Sequence, residues 1–167
     1  DLAALVWILR QMLEEHGSIA GYLCDGVDPG PPILEAPTIE AALDGFSRRA
    51  CALDRRAVYG RIVRRPGVNY FFARPSSGGA CKRLNLFLRW MVRKDGVDLG
   101  VWTRVRPAQL IIPLDTHVIR LGRCLGLTRY ASPGWRMAAD ITASLRALDP
   151  VDPVRYVFCL CHIGMMN

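Results

Sequence analysis

The sequence has no long hydrophobic run, and only two of its 22 lysine and arginine residues are lysines. No apolar stretch approaches the roughly 20 residues that a membrane-spanning helix needs, and the first residues lack the basic-then-apolar layout of a secretory signal. The six cysteines do not have the spacing of a disulfide framework, so we expect reduced, mostly buried thiols in a cytoplasmic protein. These absences argue against a membrane protein and against a secreted, disulfide-stabilised domain.

The composition is that of a globular, basic protein. Of its 167 residues, 51% are hydrophobic and 22% are charged, which is enough apolar material for one buried core. The net charge of +7 comes almost entirely from arginine, whose planar guanidinium matches phosphate oxygens. No strong basic amphipathic segment indicates binding to a membrane surface. Nucleic acid is the favoured partner, and because the chain begins and ends within amphipathic patterns we expect a piece of a longer protein.

Apolar residues recur at helical spacing through most of the chain. The predicted helices cover residues 2–16, 55–64, 81–94, 116–125, 133–148 and 153–164, and one more runs from Thr38 past Ala50. Gly17 ends the first helix and Thr38 begins the second. Ser132 and Asp152, each followed by a proline, are the predicted N-caps of the last two helices.

The remaining segments are loops, and no strand pattern or internal repeat is present. Residues 25–37 and 75–79 are rich in glycine and proline and are predicted to be a loop and a turn. We therefore expect an all-α protein, a compact helical array in a single domain. Its N-terminal helices cover residues 1–66, and the functional half covers residues 67–167.

The segment 81–94 is the clearest helix, and its two faces differ in chemistry. An apolar stripe at helical spacing consists of Leu84, Phe87, Leu88 and Met91. The opposite face carries Lys82, Asn85, Arg89 and Arg93. Arg83, Arg89 and Arg93 are candidates for contacts with DNA phosphates. The alternative is an ordinary solvated helix face.

Asp115 is the strongest single candidate for chemistry. It follows the apolar run Leu110-Ile111-Ile112 and directly precedes a predicted helix. A carboxylate at an N-cap accepts backbone amide hydrogens and lies at the positive end of the helix dipole, and both effects favour its ionised form. A fixed anion after a hydrophobic approach suits an enzyme that stabilises positive charge developing on a sugar. The alternative is that Asp115 only caps the helix.

Three stretches resemble a known group of enzymes. Asp115-Thr116-His117, followed by Val-Ile-Arg, resembles the Asp-Thr-His motif of the helix-hairpin-helix–GPD superfamily of DNA glycosylases. Residues 79–93 (GACKRLNLFLRWMVR), 97–102 (VDLGVW) and 111–117 (IIPLDTH) are similar to the signature of a bacterial family of unassigned function that is related to this superfamily. The resemblance covers about residues 70–165.

The resemblance implies a helical array of the helix-hairpin-helix glycosylase type in which Asp115 and Lys82 are catalytic. Asp115 would stabilise the oxocarbenium-like transition state as a damaged base leaves. Lys82 would be the amine that bifunctional members use to form a Schiff base with the sugar. The alternative for Lys82 is a phosphate contact or a solvated side chain.

The chain departs from the superfamily pattern ahead of this lysine. The usual Leu-Pro-Gly-Val-Gly hairpin is replaced by Pro-Ser-Ser-Gly-Gly-Ala over residues 75–80, and the interval from Lys82 to Asp115 is longer than in most members. The archaeal 8-oxoguanine glycosylases resemble this chain in carrying such an insertion. Oxidised guanine is therefore the first expected substrate.

Three further residues are assigned to DNA binding. Gly78 and Gly79, which precede a helix, can present backbone amides to a phosphate, and the alternative is an ordinary turn. Arg120 belongs to the same expected DNA-binding surface.

Two residues are assigned to the base pocket. Trp102 can stack on a base that has been extruded from the duplex, and the alternative is a place in the core. His117 is better suited to an orienting hydrogen bond than to catalysis. Trp90 is expected to be part of the core.

Cys159, Cys161 and His162 invite a metal site, but the spacing disfavours one. Helical residues two positions apart do not face each other, so buried thiols are the better interpretation. We assign no metal and no other cofactor. Some members of the superfamily carry a four-cysteine iron–sulfur loop after a comparable helix, and a sequence ending at Asn167 leaves that open.

The sequence thus predicts a DNA glycosylase of base-excision repair with optional lyase activity. Its expected partner is double-stranded DNA with a damaged base, on which it acts as a monomer. The alternative is the same fold without chemistry, as a module that binds DNA or RNA. An RNA-directed protein would prefer single-stranded loops to duplexes.

Overall fold

The computed structural model describes residues 1–25, 35–60 and 66–166, and the regular structure within these ranges is helical. The α-helices are α1 (Leu2–His16), α2 (Ile19–Asp25), α3 (Glu40–Ala52), α4 (Arg56–Tyr59), α5 (Pro66–Phe71), α6 (Lys82–Val92), α7 (Thr116–Cys124), α8 (Trp135–Leu148) and α9 (Val157–Met166). Short 3-10 turns cover Pro75–Ser77, Pro107–Gln109 and Pro153–Tyr156. The all-α prediction is confirmed. Within the described ranges, every helix is too short or too polar to cross a bilayer.

Most predicted helices are present with shifted ends. α1 ends where expected, at Gly17, whose φ of 69° is left-handed. The sequence analysis does not predict α2 or α5, and α5 begins at Pro66, where a helix was expected to have ended. The helix predicted over 55–64 is wrong in extent: α4 ends at Gly60, and residues 61–65 lie outside the described ranges.

The N-cap predicted at Ser132 is wrong, whereas Asp152 does occupy the N-cap position of the 3-10 turn Pro153–Tyr156 that leads into α9. α8 begins at Trp135, whose amide donates to the carbonyl of Gly78 at 2.9 Å, so this donor needs no capping hydroxyl from Ser132. The two segments can approach this closely only because residue 134 is a glycine. A Cβ there would lie 2.7 Å from that carbonyl oxygen. Asp152 forms no side-chain cap either and pairs with an arginine instead. Of the loop predicted over 25–37, residues 26–34 lie outside the described part.

One hydrophobic core contains side chains from Ala4 in α1 to Leu160 in α9. The non-helical segment 110–114 passes through this core, and Ile112 in its middle has no exposed surface. The amide of Ile112 donates to the Thr142 hydroxyl of α8 at 3.0 Å, which satisfies a backbone group that is sealed from water. This hydrogen bond fixes the segment that leads to Asp115.

α7 and α9 cross closely because a glycine lies at the crossing. A Cβ at Gly164 would lie 2.6 Å from the Cβ of His117, closer than packed side chains allow. Arg120 of α7 also donates to the carbonyl of Gly164. The crossing brings α9 beside the start of α7.

The charged face predicted for α6 is buried beyond Lys82, and this corrects the assignment of Arg89 and Arg93 to DNA phosphates. Arg89 is 2% exposed and Arg93 is 6% exposed. Both guanidinium groups pair with the buried carboxylate of Asp98, and Arg93 also pairs with Asp95 at 2.8 Å and with Asp152 at 2.9 Å. These acids neutralise the two arginines inside the protein, where solvent or DNA was expected to do so.

We expect Asp98→Asn to lower the free energy of unfolding by about 3–5 kcal/mol, because two buried guanidinium groups lose their shared carboxylate. Denaturant titration followed by circular dichroism measures the loss. Glu14→Gln is the matched control: it removes an exposed ion pair with Arg10, at 2.7 Å, and should cost less than about 1 kcal/mol. Equal, small losses in both variants would contradict a structural role for the buried acids.

Candidate functional site

An open cleft of about 860 Å³ lies between α6, the start of α7 and α9. Its volume is within the range of roughly 300–1,000 Å³ that is usual for small-molecule sites. The charged side chains of its lining are Lys82, Arg89 and Asp115. Most of the remaining wall is apolar and includes Leu86, Trp90, Pro113, Phe158 and Met165. Both side chains predicted to be catalytic therefore lie in one cleft.

Asp115 is held at the start of α7 by two hydrogen bonds. Its Oδ1 accepts from the amide of Val118 at 2.7 Å, as an N-cap, and its Oδ2 accepts from the thiol of Cys161 at 3.0 Å. Burial raises the pKa of Asp115, but these two bonds and the positive charge of Lys82 outweigh it and leave the pKa below its ordinary value. Asp115 is an anion at neutral pH and is partly exposed in the cleft.

Lys82 is the first residue of α6, and its side chain is exposed. The helix begins after Cys81, whose φ of 49° lies in the left-handed region that residues other than glycine seldom occupy. The thiol of Cys81 is within hydrogen-bonding distance of the carbonyls of Gly79 (3.3 Å) and Ala73 (3.4 Å). Burial raises the pKa of this thiol to about 12, so it stays neutral. A constrained turn thus fixes the residue that carries the amine.

Lys82 also lines a second cleft, of about 500 Å³. Gly79 and Arg83 line it as well, and both are exposed. The guanidinium of Arg83 lies 3.7 Å from the ring centre of Tyr70 and donates to the hydroxyl of that residue. Gly78 is also exposed, and its carbonyl supports the start of α8. Of the predicted phosphate contacts, Gly79 and Arg83 adjoin the amine, whereas Arg89 and Arg93 are inside the protein.

Trp90, and not Trp102, is the tryptophan that lines the first cleft. Trp90 is 41% exposed, so its assignment to the core is wrong. Trp102 packs edge to face against Phe87, with the ring centres 5.4 Å apart, and lies outside the lining. His117 packs at the crossing of α7 and α9 and does not line the cleft either. Neither residue assigned to a base pocket from the sequence lines this cleft.

The six cysteines are free, but the prediction that most of them are buried is wrong. Cys81 is buried, whereas Cys124 and Cys159 are exposed. Burial and the negative charge of Asp115 raise the pKa of the Cys161 thiol to about 12, so this thiol is neutral and can donate. Among the residues that the structure describes, no three His, Cys, Asp or Glu side chains form a group that could hold a metal ion.

Sequence reasoning missed the contribution of α9 to the site. Phe158 and Cys161 of this helix line the cleft, and Cys161 contacts Asp115 directly. The signal was present in the sequence, because the helix is apolar on every side and yet carries a histidine and two cysteines. A helix that is apolar on all sides is normally buried on all sides. In this structure one side of α9 lines the cleft.

We expect Cys161→Ala to raise the pKa of Asp115, because the carboxylate loses a donor, and Cys161→Ser to restore part of the shift through its hydroxyl. Carbon-13 NMR of the side-chain carboxyl during a pH titration measures the pKa directly. A depressed pKa stabilises the fold above the ordinary pKa of aspartate, and this contribution is lost as the pH falls through the folded value. Cys161→Ala should therefore reduce the difference in stability between neutral and acid pH. Identical titration curves for the three proteins would rule out the thiol as a donor.

Comparison with known proteins gives one result for nearly the whole chain. Residues 1–166 match a family model described as a protein of unknown function (DUF2400). Neither the curated proteins nor the solved structures gave a match. Because the match covers residues 1–166 of 167, the chain belongs to the DUF2400 family, whose description assigns no activity.

Proposed function

We propose that this chain is a DNA glycosylase domain of the helix-hairpin-helix type, which removes a damaged base from duplex DNA. The observation that carries the proposal is that an ionised Asp115 and Lys82 line the same cleft. The cleft is wide enough for a nucleobase, and its apolar wall suits a flat ring extruded from the duplex. The resemblance of the Asp-Thr-His segment to the glycosylase motif supports the same assignment.

The chemistry begins with the bond between C1′ of the sugar and the base nitrogen. As that bond breaks, its electron pair moves to the base and positive charge develops on the sugar. Asp115 lies in the cleft as a fixed anion and stabilises this charge without rearranging. Water then adds to C1′, its hydroxide forming the new bond and its remaining proton passing to the departed base. The products are the free base and an abasic site.

Lys82 provides a second route in which an amine replaces water as the nucleophile. The neutral amine attacks C1′, the base leaves with its electron pair, and Asp115 accepts the proton lost by nitrogen. The departed base takes that proton from Asp115. Opening of the sugar ring, in which O4′ takes the second proton of the nitrogen, then gives a Schiff base between Lys82 and C1′. In this route Asp115 acts as the general base for the proton that nitrogen releases as the new bond forms.

The second cleft supplies the contacts for the DNA backbone in this proposal. Gly79 and Arg83 are exposed beside Lys82, so a phosphate bound there leaves the adjoining nucleotide next to the catalytic cleft. Arg120 is exposed on α7, but it donates to a carbonyl of α9 and does not line this second cleft. Positioning contacts of this kind supply most of the affinity for duplex DNA.

We expect Asp115→Asn to reduce the rate of base excision by about 10²–10³-fold, because the carboxylate charge opposes the developing cation. Single-turnover kinetics on duplexes with 8-oxoguanine and a panel of other lesions measure the rate. Asp140→Asn is the control, since Asp140 bonds Thr128 and Arg129 and does not line the cleft. If the wild-type protein binds the duplexes and releases no base from the panel, the chain is a DNA-binding module instead.

The Schiff-base route can be tested with unusual clarity because the chain has only two lysines, Lys82 and Lys94. We expect borohydride to trap a covalent adduct with lesion DNA in the wild-type protein and in Lys94→Gln. Lys82→Gln should give no adduct and should retain base excision by water. Peptide mass mapping locates the bond. A trapped adduct at Lys94, or trapping that survives Lys82→Gln, would exclude Lys82 as the nucleophile.

A further inference from the structure

Arg89 lies in the candidate catalytic cleft, and part of its hydrogen-bonding capacity is unused. It lines the cleft although it is only 2% exposed. Its Nε and Nη2 are buried and form no hydrogen bond with the residues that the structure describes. Nη2 lies 3.1 Å from Oδ2 of Asp98, within ion-pair distance but without the geometry of a hydrogen bond.

The acids around Arg89 are oriented towards Arg93 instead. The same Oδ2 of Asp98 accepts a hydrogen bond from Arg93, which is also bonded to Asp95 and Asp152. Arg89 therefore has its charge balanced while its planar set of donors stays underused. A buried donor without an acceptor is unfavourable, so the site favours a ligand that supplies one.

The surroundings of Arg89 identify the kind of acceptor. Its guanidinium carbon lies 4.3 Å from the ring centre of Phe158, and that ring is 48% exposed on the cleft side of α9. Leu86 and Trp90 continue the apolar wall. A hydrated phosphate does not fit such a wall, whereas a flat ring with a carbonyl oxygen does. For that ring to reach the guanidinium, the half-exposed Phe158 side chain has to rotate away from it.

We propose that Arg89 donates a hydrogen bond to a carbonyl oxygen of the extruded base and stabilises the negative charge that develops on that base as it leaves. The inference rests on the proposed glycosylase function and deepens it by naming the substrate class. When the bond to the sugar breaks, the electron pair spreads over the ring nitrogen and the carbonyl oxygens of the base. A buried guanidinium beside such an oxygen lowers the energy of the departing anion, while Asp115 stabilises the cationic sugar.

This role divides damaged bases into two groups. Oxidised and deaminated bases such as 8-oxoguanine and hypoxanthine carry a carbonyl oxygen and leave as anions, so Arg89 assists them. Bases without a carbonyl, such as 1,N6-ethenoadenine, leave the donors of Arg89 unpaired, and sites built to hydrogen-bond a group discriminate strongly against analogues that lack it. Alkylated purines that are cations before cleavage are repelled by the guanidinium.

The test uses duplexes in which the lesion nucleotide carries a 2′-fluorine, so that it is bound but not cleaved. We expect the wild-type protein to bind duplexes with 8-oxoguanine or hypoxanthine at least about tenfold more tightly than one with 1,N6-ethenoadenine. Arg89→Lys keeps a positive charge beside Asp98 and should remove this preference while leaving affinity for a tetrahydrofuran abasic analogue unchanged. Arg93→Lys is the control, because it alters the same buried cluster at a residue outside the cleft lining.

The outcomes separate this inference from the proposed function. Binding preferences that depend on Arg89, without excision of the natural lesions, would support base recognition by Arg89 and contradict both catalysis and a role of Arg89 in the departure of the base. Excision with an equal or greater preference for 1,N6-ethenoadenine would support catalysis and overturn the role of Arg89. The comparison of lesions in the wild-type protein needs no variant, so the absence of the preference there would overturn the role of Arg89 even if Arg89→Lys does not fold.

Discussion

At the start of α7 the amide of Val118 donates to one oxygen of Asp115, and this N-cap fixes the direction of the other oxygen. The constraint comes from both sides. Before Asp115, the segment 110–114 lies in the core and is anchored to Thr142 of α8. After it, the glycine at position 164 lets α9 approach closely enough for Cys161 to reach the free oxygen. Displacing either segment 110–114 or α9 would move the Asp115 carboxylate, on which the proposed chemistry depends.

The second support of the site is the buried charge beneath α6. Arg89 and Arg93 are inside the protein because Asp98 and its neighbouring acids neutralise them. The same cluster positions one arginine at the edge of the cleft with donors to spare. In the proposed mechanism the cleft thus places an anion where the sugar becomes positive and a cation where the base becomes negative. In that mechanism Asp115 at the start of α7 faces the positive sugar, and Arg89 of α6 faces the negative base.

How much of this could be predicted from the sequence depends on the range of the interactions. The N-cap at Asp115, the start of α6 at Lys82 and the all-α class follow from local patterns, and the structure confirms the two helices to within two residues at each end. The burial of Arg89 does not follow from its helix, because the acid that neutralises it belongs to another segment. An arginine at helical spacing with other polar residues predicts a solvated face until Asp98 is known to fold back onto it.

The aromatic residues show the same limit. Trp90 was expected in the core, where a tryptophan of a helical protein usually lies, and Trp102 was the candidate for the base. In the structure Phe87 packs against Trp102, and Trp90 is exposed in the cleft between α6 and α9. The most direct test of the account is a crystal structure of the Asp115→Asn protein bound to a duplex with a 2′-fluorinated 8-oxoguanine. The account predicts the base inside the cleft against Trp90, with C1′ facing residue 115. A base still stacked in the duplex, or DNA bound on another face, would contradict it.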